Sequence, residues 1–128
     1  LVSNKSAIKI ILLKKEAILS QKSRNKGHKF EREIAKRLRK VFPEARRQLE
    51  YHQNDANGVD IQQTGRYRIQ CKRFKKYAPV SCIEEVQLNG PDEVPVLVTK
   101  GDNAPILAVL PFDELLRLLE NDLDGDWI

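Results

Sequence analysis

Asn57-Gly58-Val59-Asp60-Ile61-Gln62-Gln63-Thr64-Gly65-Arg66-Tyr67-Arg68-Ile69-Gln70-Cys71-Lys72 reads as two short strands around a Thr64-Gly65 turn. Val59 and Ile61 alternate with Gly58, Asp60 and Gln62 before the turn. Tyr67, Ile69 and Cys71 alternate with Arg68, Gln70 and Lys72 after it. Period-two alternation bounded by glycine predicts a hairpin. The polar side of that alternation puts Asp60, Gln70 and Lys72 on one face. A carboxylate, an amide oxygen and an ammonium on adjacent strands suit a metal-and-phosphate site. The plain alternative is an exposed polar pair on a solvated sheet.

Upstream, residues 27–42 carry the strongest helix pattern in the chain. Phe30, Ile34, Ala35, Leu38, Val41 and Phe42 form one apolar stripe, and Pro43 closes it. Arg32, Lys36, Arg39 and Lys40 take the opposite face. Glu31 and Glu33 fall in the first turn of this helix, where a carboxylate also complements the helix dipole. Gly27 reads as the helix boundary. Residues 1–26 form a basic arm, with helical spacing over 7–19 and a flexible link at 20–25.

Downstream, residues 45–51 are a weak first strand, and 52–57 a polar turn leading into the hairpin. A helix is expected from 80 or 81 to 88, stopped by Asn89-Gly90-Pro91. Two apolar runs, 94–99 and 106–110, read as buried strands, with Pro95 near the start of the first. A final amphipathic helix covers 112–119, capped by Asp113. The acidic segment 120–126 reads as a loose end. The order helix, three strands, helix, two strands, helix predicts an α/β fold, a short mixed sheet flanked by helices. The implied domains are an arm (1–26), a core (27–119) and an acidic tail (120–128).

The chain has 128 residues, 41% hydrophobic and 32% charged, enough for one ordinary core. No apolar run approaches the ~20 residues of a membrane span. No signal peptide is evident, and Cys71 and Cys82 match neither a zinc motif nor a disulfide framework. A reduced intracellular, cytoplasmic setting is the expectation. Charge is unevenly distributed. Residues 1–80 hold 21 Lys/Arg and 7 Asp/Glu, whereas 81–128 hold 2 and 11. Clustered cations bind polyanions by releasing their counterions, so a nucleic acid is the expected partner. A lysine-rich solvated surface is the alternative.

Hard divalent cations take oxygen ligands. Asp60 offers a carboxylate, Gln70 an amide oxygen, and Cys71 its backbone carbonyl. Glu31 can join them if the helix crosses the hairpin. Lys72 is placed to orient a water or to offset charge in a transition state.

Three segments together resemble a known family. Lys26-Gly27-His28-Lys29-Phe30-Glu31-Arg32-Glu33, then Gly58-Val59-Asp60-Ile61, then Ile69-Gln70-Cys71-Lys72 are similar to the three motifs of the PD-(D/E)XK nuclease superfamily. The nearest resemblance is to the archaeal-type Holliday junction resolvases and their phage relatives. Residues 94–100 also resemble that branch, so the likeness spans roughly 26–112. It implies a restriction-endonuclease-like core and an endodeoxyribonuclease that uses Mg²⁺ or Mn²⁺ on branched DNA as a homodimer. It implies Glu31, Asp60, Gln70 and the Cys71 carbonyl around the metal, with Lys72 as the catalytic lysine. Lys26, Lys29, Arg32, Arg73, Lys75 and Lys76 would contact DNA. Gln70 departs from the family pattern, which has Glu there. An amide oxygen can coordinate Mg²⁺ but brings no charge and cannot act as a base. The alternatives are a non-catalytic DNA-binding module with a degenerate site and a restriction- or repair-type nuclease on duplex DNA. His28, His52 and Asp55 are weaker candidates near the phosphate. Phe74 and Tyr77 can stack on an unpaired base or simply pack. Both cysteines read as small core residues.

Overall fold

The computed structural model describes residues 4–49 and 58–123, with the side chains of residues 4–6, 19 and 20 outside that description. The chain is an α/β protein. Helix α1 (Asn4–Leu38) leads to strands β1 (Arg46–Arg47), β2 (Ile61–Gln62) and β3 (Tyr67–Arg73). A 3₁₀ helix (Val80–Glu85) joins β3 to β4 (Val94–Lys100), and β5 (Ile106–Val109) precedes helix α2 (Phe112–Leu123). The five strands lie in sequence order in one mixed sheet. Only β3 and β4 run parallel, paired from Tyr67↔Val94 to Arg73↔Lys100. The neighbouring pairs β1–β2, β2–β3 and β4–β5 are antiparallel. No helix of the described residues is long and apolar enough to cross a membrane.

The predicted hairpin forms, with Ile61 opposite Ile69. Its turn depends on left-handed backbone: Gln63 has φ 64° and Gly65 φ 62°. Glycine tolerates that conformation without a Cβ penalty. Phe42 lies close beneath Gly65. The Thr64 hydroxyl donates to the Tyr67 carbonyl at 2.6 Å and closes the turn.

Alternation along β3 and β4 divides the core between the two sheet faces. Ile61, Ile69, Cys71, Val94, Val96 and Val98 pack with Phe30, Ile34 and Ala35 of α1. The other face buries Leu97 against Ala78 and Cys82, with Ile83 and Val109 beside them. Thr99, also buried, accepts the Ala78 N–H at 2.8 Å and ties the chain after β3 to β4. Burial of each such aliphatic side chain contributes about 1.5–3 kcal/mol. Both cysteines are buried and reduced, as small core residues. Pro95 lies opposite Arg68, in the part of β4 that β5 does not reach. Its missing N–H therefore interrupts no ladder.

Five local expectations are corrected. The predicted link at 20–25 is helical, and α1 runs through it as one 35-residue helix. Gln21, Lys22, Arg24 and Lys26 are good helix formers, and they outweigh the serines and Asn25. Gly27 is consequently inside the helix rather than at its boundary. The helix stops at Leu38, not Phe42. Val41 and Phe42 both donate N–H bonds to the Leu38 carbonyl, and Val41 is 72% exposed rather than on the core stripe. Pro43 restricts the residue before it and forces this early exit. The segment expected as a helix over 80–88 is a 3₁₀ helix ending at Glu85. The expected loose end from 120 is still helical through Leu123.

Helix α2 docks through polar groups. Glu114 is buried and accepts two hydrogen bonds from Arg66 at 2.8 and 2.9 Å and one from the Tyr67 hydroxyl at 2.7 Å. Arg117 Nη2 donates to the same carboxylate at 2.7 Å. Phe112, Leu115, Leu116, Leu119 and Leu123 of this helix remain exposed.

Candidate active site

The hairpin carries the expected polar group to the face opposite α1. Asp60 follows the β1–β2 pairing: its carbonyl accepts from Gln48 N–H, and its N–H donates to the Ile69 carbonyl, both at 2.8 Å. Its side chain turns to the β3 backbone, where Oδ2 accepts the Cys71 N–H at 2.8 Å. Burial raises the Asp60 carboxyl from its ordinary 3.8 to about 6. The Cys71 N–H and Lys72 oppose that rise, while the Glu31 and Glu85 carboxylates add to it. Glu31, Lys72 and Glu85 are thus the charged side chains whose fields act on Asp60.

Glu31 acts from α1. It is buried, and its Oε2 accepts from Arg47 Nε at 2.7 Å in an ion pair between α1 and β1. Arg47 has no role in the sequence reading. Its partner is sixteen residues away, and only the packing of β1 beside α1 brings them together. The carboxylates of Glu31 and Asp60 also act on Cys71. Burial first, then these two charges, hold its thiol well above the ordinary range, so it stays protonated. Cys71 meets Asp60 through its N–H, and its side chain belongs to the α1-facing core.

Gln70 is 3% exposed. Its Nε2 donates to Glu85 Oε2 at 2.6 Å, and its Oε1 is buried with no hydrogen-bond partner among the described residues. Lys72 Nζ lies 3.1 Å from the same Glu85 oxygen. Hydrogen bonds from Gln70 and then Lys72 draw the Glu85 carboxyl below its ordinary range. Glu85, like Arg47, is a residue that sequence reasoning missed. It ends the 3₁₀ helix, fifteen positions from Gln70, in a segment with no strong periodic pattern. One signal was present: Gly58 immediately precedes the Val59-Asp60 strand. Gly58 has φ 78°, and a Cβ there would lie 2.2 Å from the Glu85 carbonyl oxygen.

The basic residues expected to contact DNA fall into three places. Lys26, Lys29 and Arg73 line a recess of about 230 Å³ with Phe30, Glu33 and Lys100. Arg73 follows Lys72 and so points to the α1 side of the sheet. Lys26 Nζ and Arg73 Nη2 both pair with Asp102 Oδ1, at 2.8 and 2.9 Å. Those two cations hold the Asp102 carboxyl below its ordinary range, with the Lys26 hydrogen bond contributing most. Lys75 and Lys76 are exposed beyond the end of β3, their backbone packed beneath the Gly101 turn. Arg32 is exposed on α1. Phe74 and Tyr77 are also exposed, and the Tyr77 hydroxyl donates to the Pro105 carbonyl at 3.0 Å. His28 is half-buried on α1. His52 and Asp55 lie outside the described residues.

No group of three or more His, Cys, Asp or Glu side chains among the described residues is arranged to hold a metal ion. One of the oxygen donors here is an amide, Gln70. The oxygen atoms of Asp60, Gln70 and Glu85 suit a hard cation such as Mg²⁺. The unpaired, buried Gln70 Oε1 fits that chemistry, because an unsatisfied buried acceptor costs about 1–3 kcal/mol until a donor or cation reaches it. Glu31 is paired with Arg47 and Glu85 with Lys72, so each of these carboxylates shares its charge with a protein cation.

No protein-family model, curated protein or solved structure significantly matches this chain.

Proposed function

We propose that this protein is a metal-dependent endodeoxyribonuclease with a PD-(D/E)XK type of site on a restriction-endonuclease-like core. Branched DNA, a four-way junction above all, is the proposed substrate. A homodimer would cut the two opposed strands of such a junction by its own symmetry. The observation carrying this reading is the convergence of Asp60, Gln70 and Lys72 on one sheet face, with Glu31 close enough to perturb Asp60. The concentration of Lys and Arg in residues 1–80 supports a polyanionic substrate.

Asp60, Gln70 and Glu31 would hold Mg²⁺ or Mn²⁺. The chemistry such a cation supplies is polarisation of the phosphate and a lower pKa for its bound water. Lys72 contributes a fixed positive charge at the end of β3, where negative charge grows on a phosphate during cleavage. The Cys71 N–H fixes the Asp60 carboxylate against the strand, which limits its freedom before substrate arrives. Lys75 and Lys76 contribute phosphate contacts beside the site.

One observation favours a second reading, a DNA-binding module without catalysis. Arg47 pairs with Glu31 at 2.7 Å, and a cation already present there reduces the charge available to a metal. A synthetic four-way junction and a linear duplex, each incubated with the protein and Mg²⁺ or Mn²⁺, separate the readings. Junction cleavage lost in Asp60→Asn and Lys72→Ala, with binding retained, supports the nuclease. Preferential cutting of the duplex supports the restriction- or repair-type alternative. Binding of both DNAs without cleavage supports the module. Cleavage that survives both substitutions overturns the site assignment.

A further inference from the structure

We infer that Glu85 is a carboxylate ligand for the divalent cation, supplying from the 3₁₀ helix the charge that Gln70 lacks on β3. The inference rests on the proposed nuclease reading for the class of ligand, Mg²⁺ or Mn²⁺. Its observations are separate from the sequence motifs.

The first observation is contact. One oxygen of Glu85 meets both the Gln70 amide, at 2.6 Å, and the Lys72 ammonium, at 3.1 Å. Glu84 and Glu85 are both exposed, but Glu84 makes no such contact among the described residues. The second observation is the orphaned acceptor. Gln70 is 97% buried by its 3% exposure, and its amide nitrogen is committed to Glu85. Its oxygen is buried with no hydrogen-bond partner among the described residues. An unpartnered oxygen on an amide whose nitrogen already holds a carboxylate is one a cation can take over. The third observation is the backbone. Cys82 and Val86 are buried on either side and anchor the turn. Gly58 then allows the Glu85 carbonyl to approach where any side chain would collide. The glycine of the Gly-Val-Asp segment thus admits the 3₁₀ helix to the Asp60 strand.

Charge explains the amide at position 70. A carboxylate there would stand within hydrogen-bond distance of Glu85 and repel it. An amide instead donates to Glu85 and holds it in place. Gln70 and Glu85 are therefore one unit, in which the side chain on the strand is neutral and the side chain on the turn is charged. Exchange of the two should preserve the unit's net charge.

Isothermal titration of the full chain with Mn²⁺ tests this, with circular dichroism confirming that each variant is folded. Glu85→Gln should lose at least about ten-fold in Mn²⁺ affinity, while Glu84→Gln should match the wild type. The exchange Gln70→Glu with Glu85→Gln should recover most of the loss. A Glu85→Gln protein that binds Mn²⁺ as tightly as wild type overturns the inference and leaves the nuclease reading intact. A wild type that binds no Mn²⁺ overturns both. Loss of affinity in Glu85→Gln with no cleavage of any DNA by wild type supports the ligand and defeats the nuclease.

Discussion

Asp60→Asn should stabilise the protein at neutral pH, although it removes the central carboxylate of the proposed site. Asparagine keeps an oxygen that can accept the Cys71 N–H, so the local fold persists. What changes is the energy of a buried charge. The Asp60 carboxyl rises from 3.8 in the unfolded reference to about 6 in the fold. At about 1.4 kcal/mol per pH unit, ionising it in the folded state costs about 3 kcal/mol. Between about pH 4 and pH 6 the unfolded chain releases a proton that the folded chain retains. The stability attached to protonated Asp60 is thus full below about pH 4 and lost as pH rises through about 6. The stability of Asp60→Asn relative to wild type should accordingly grow by about 3 kcal/mol between those limits and level off above them. Urea unfolding of both proteins across about pH 4 to pH 8 measures this. Ionisations shared by the two proteins cancel, apart from those of Glu31 and Glu85, which sense Asp60. A difference that stays constant across the range refutes the claim that Asp60 is ionised at a penalty.

Gly58→Ala should destabilise the chain by at least about 2 kcal/mol in urea unfolding, because it adds both a left-handed backbone penalty and a collision with the Glu85 carbonyl. Glu114 has the opposite pH sign to Asp60: hydrogen bonds, that from Arg117 first, hold its carboxyl down to about 2. Its contribution is present above its ordinary 4.5 and lost as pH falls toward about 2, so Glu114→Gln should flatten the acid limb of a melting-temperature profile. The double change Lys75→Ala and Lys76→Ala should reduce the slope of log affinity against log salt by about 2, measured by fluorescence anisotropy on labelled DNA. An unchanged slope would exclude these two lysines from the phosphate contacts.

The parts of the fold legible in the sequence were those with a local physical signature. The continuous apolar runs became β4 and β5, and the alternation around Thr64-Gly65 became the β2–β3 turn. Periodicity also placed Phe30, Ile34 and Ala35 in the core. Local punctuation misled where propensity and tertiary context opposed it, as at Gly27 and residues 20–25 of α1. The candidate site was legible on its strands and, through Glu31, on the first helix. Asp60, Gln70 and Lys72 share a face because a strand has period two. Glu85 and Arg47 enter through close packing between distant segments, and no spacing rule describes that. Gly58 marked the first of these contacts, but a glycine before a strand does not say which backbone approaches it.

The Asp102 carboxylate has a consequence for binding to a polyanion. It sits between Lys26 and Arg73 as one negative group bridging two positive ones, the arrangement a nucleic-acid phosphate would adopt. It is a competitor tethered to its own receptor, and tethering gives it a high local concentration. A strand that takes these two cations must first displace Asp102, and the displaced charge stays in the molecule. Fewer small ions then leave with each contact than at a free lysine. Lys26 and Arg73 should therefore help select the geometry of the bound strand while adding little to the salt dependence, which falls to cations without an ion pair among the described residues, such as Lys75 and Lys76.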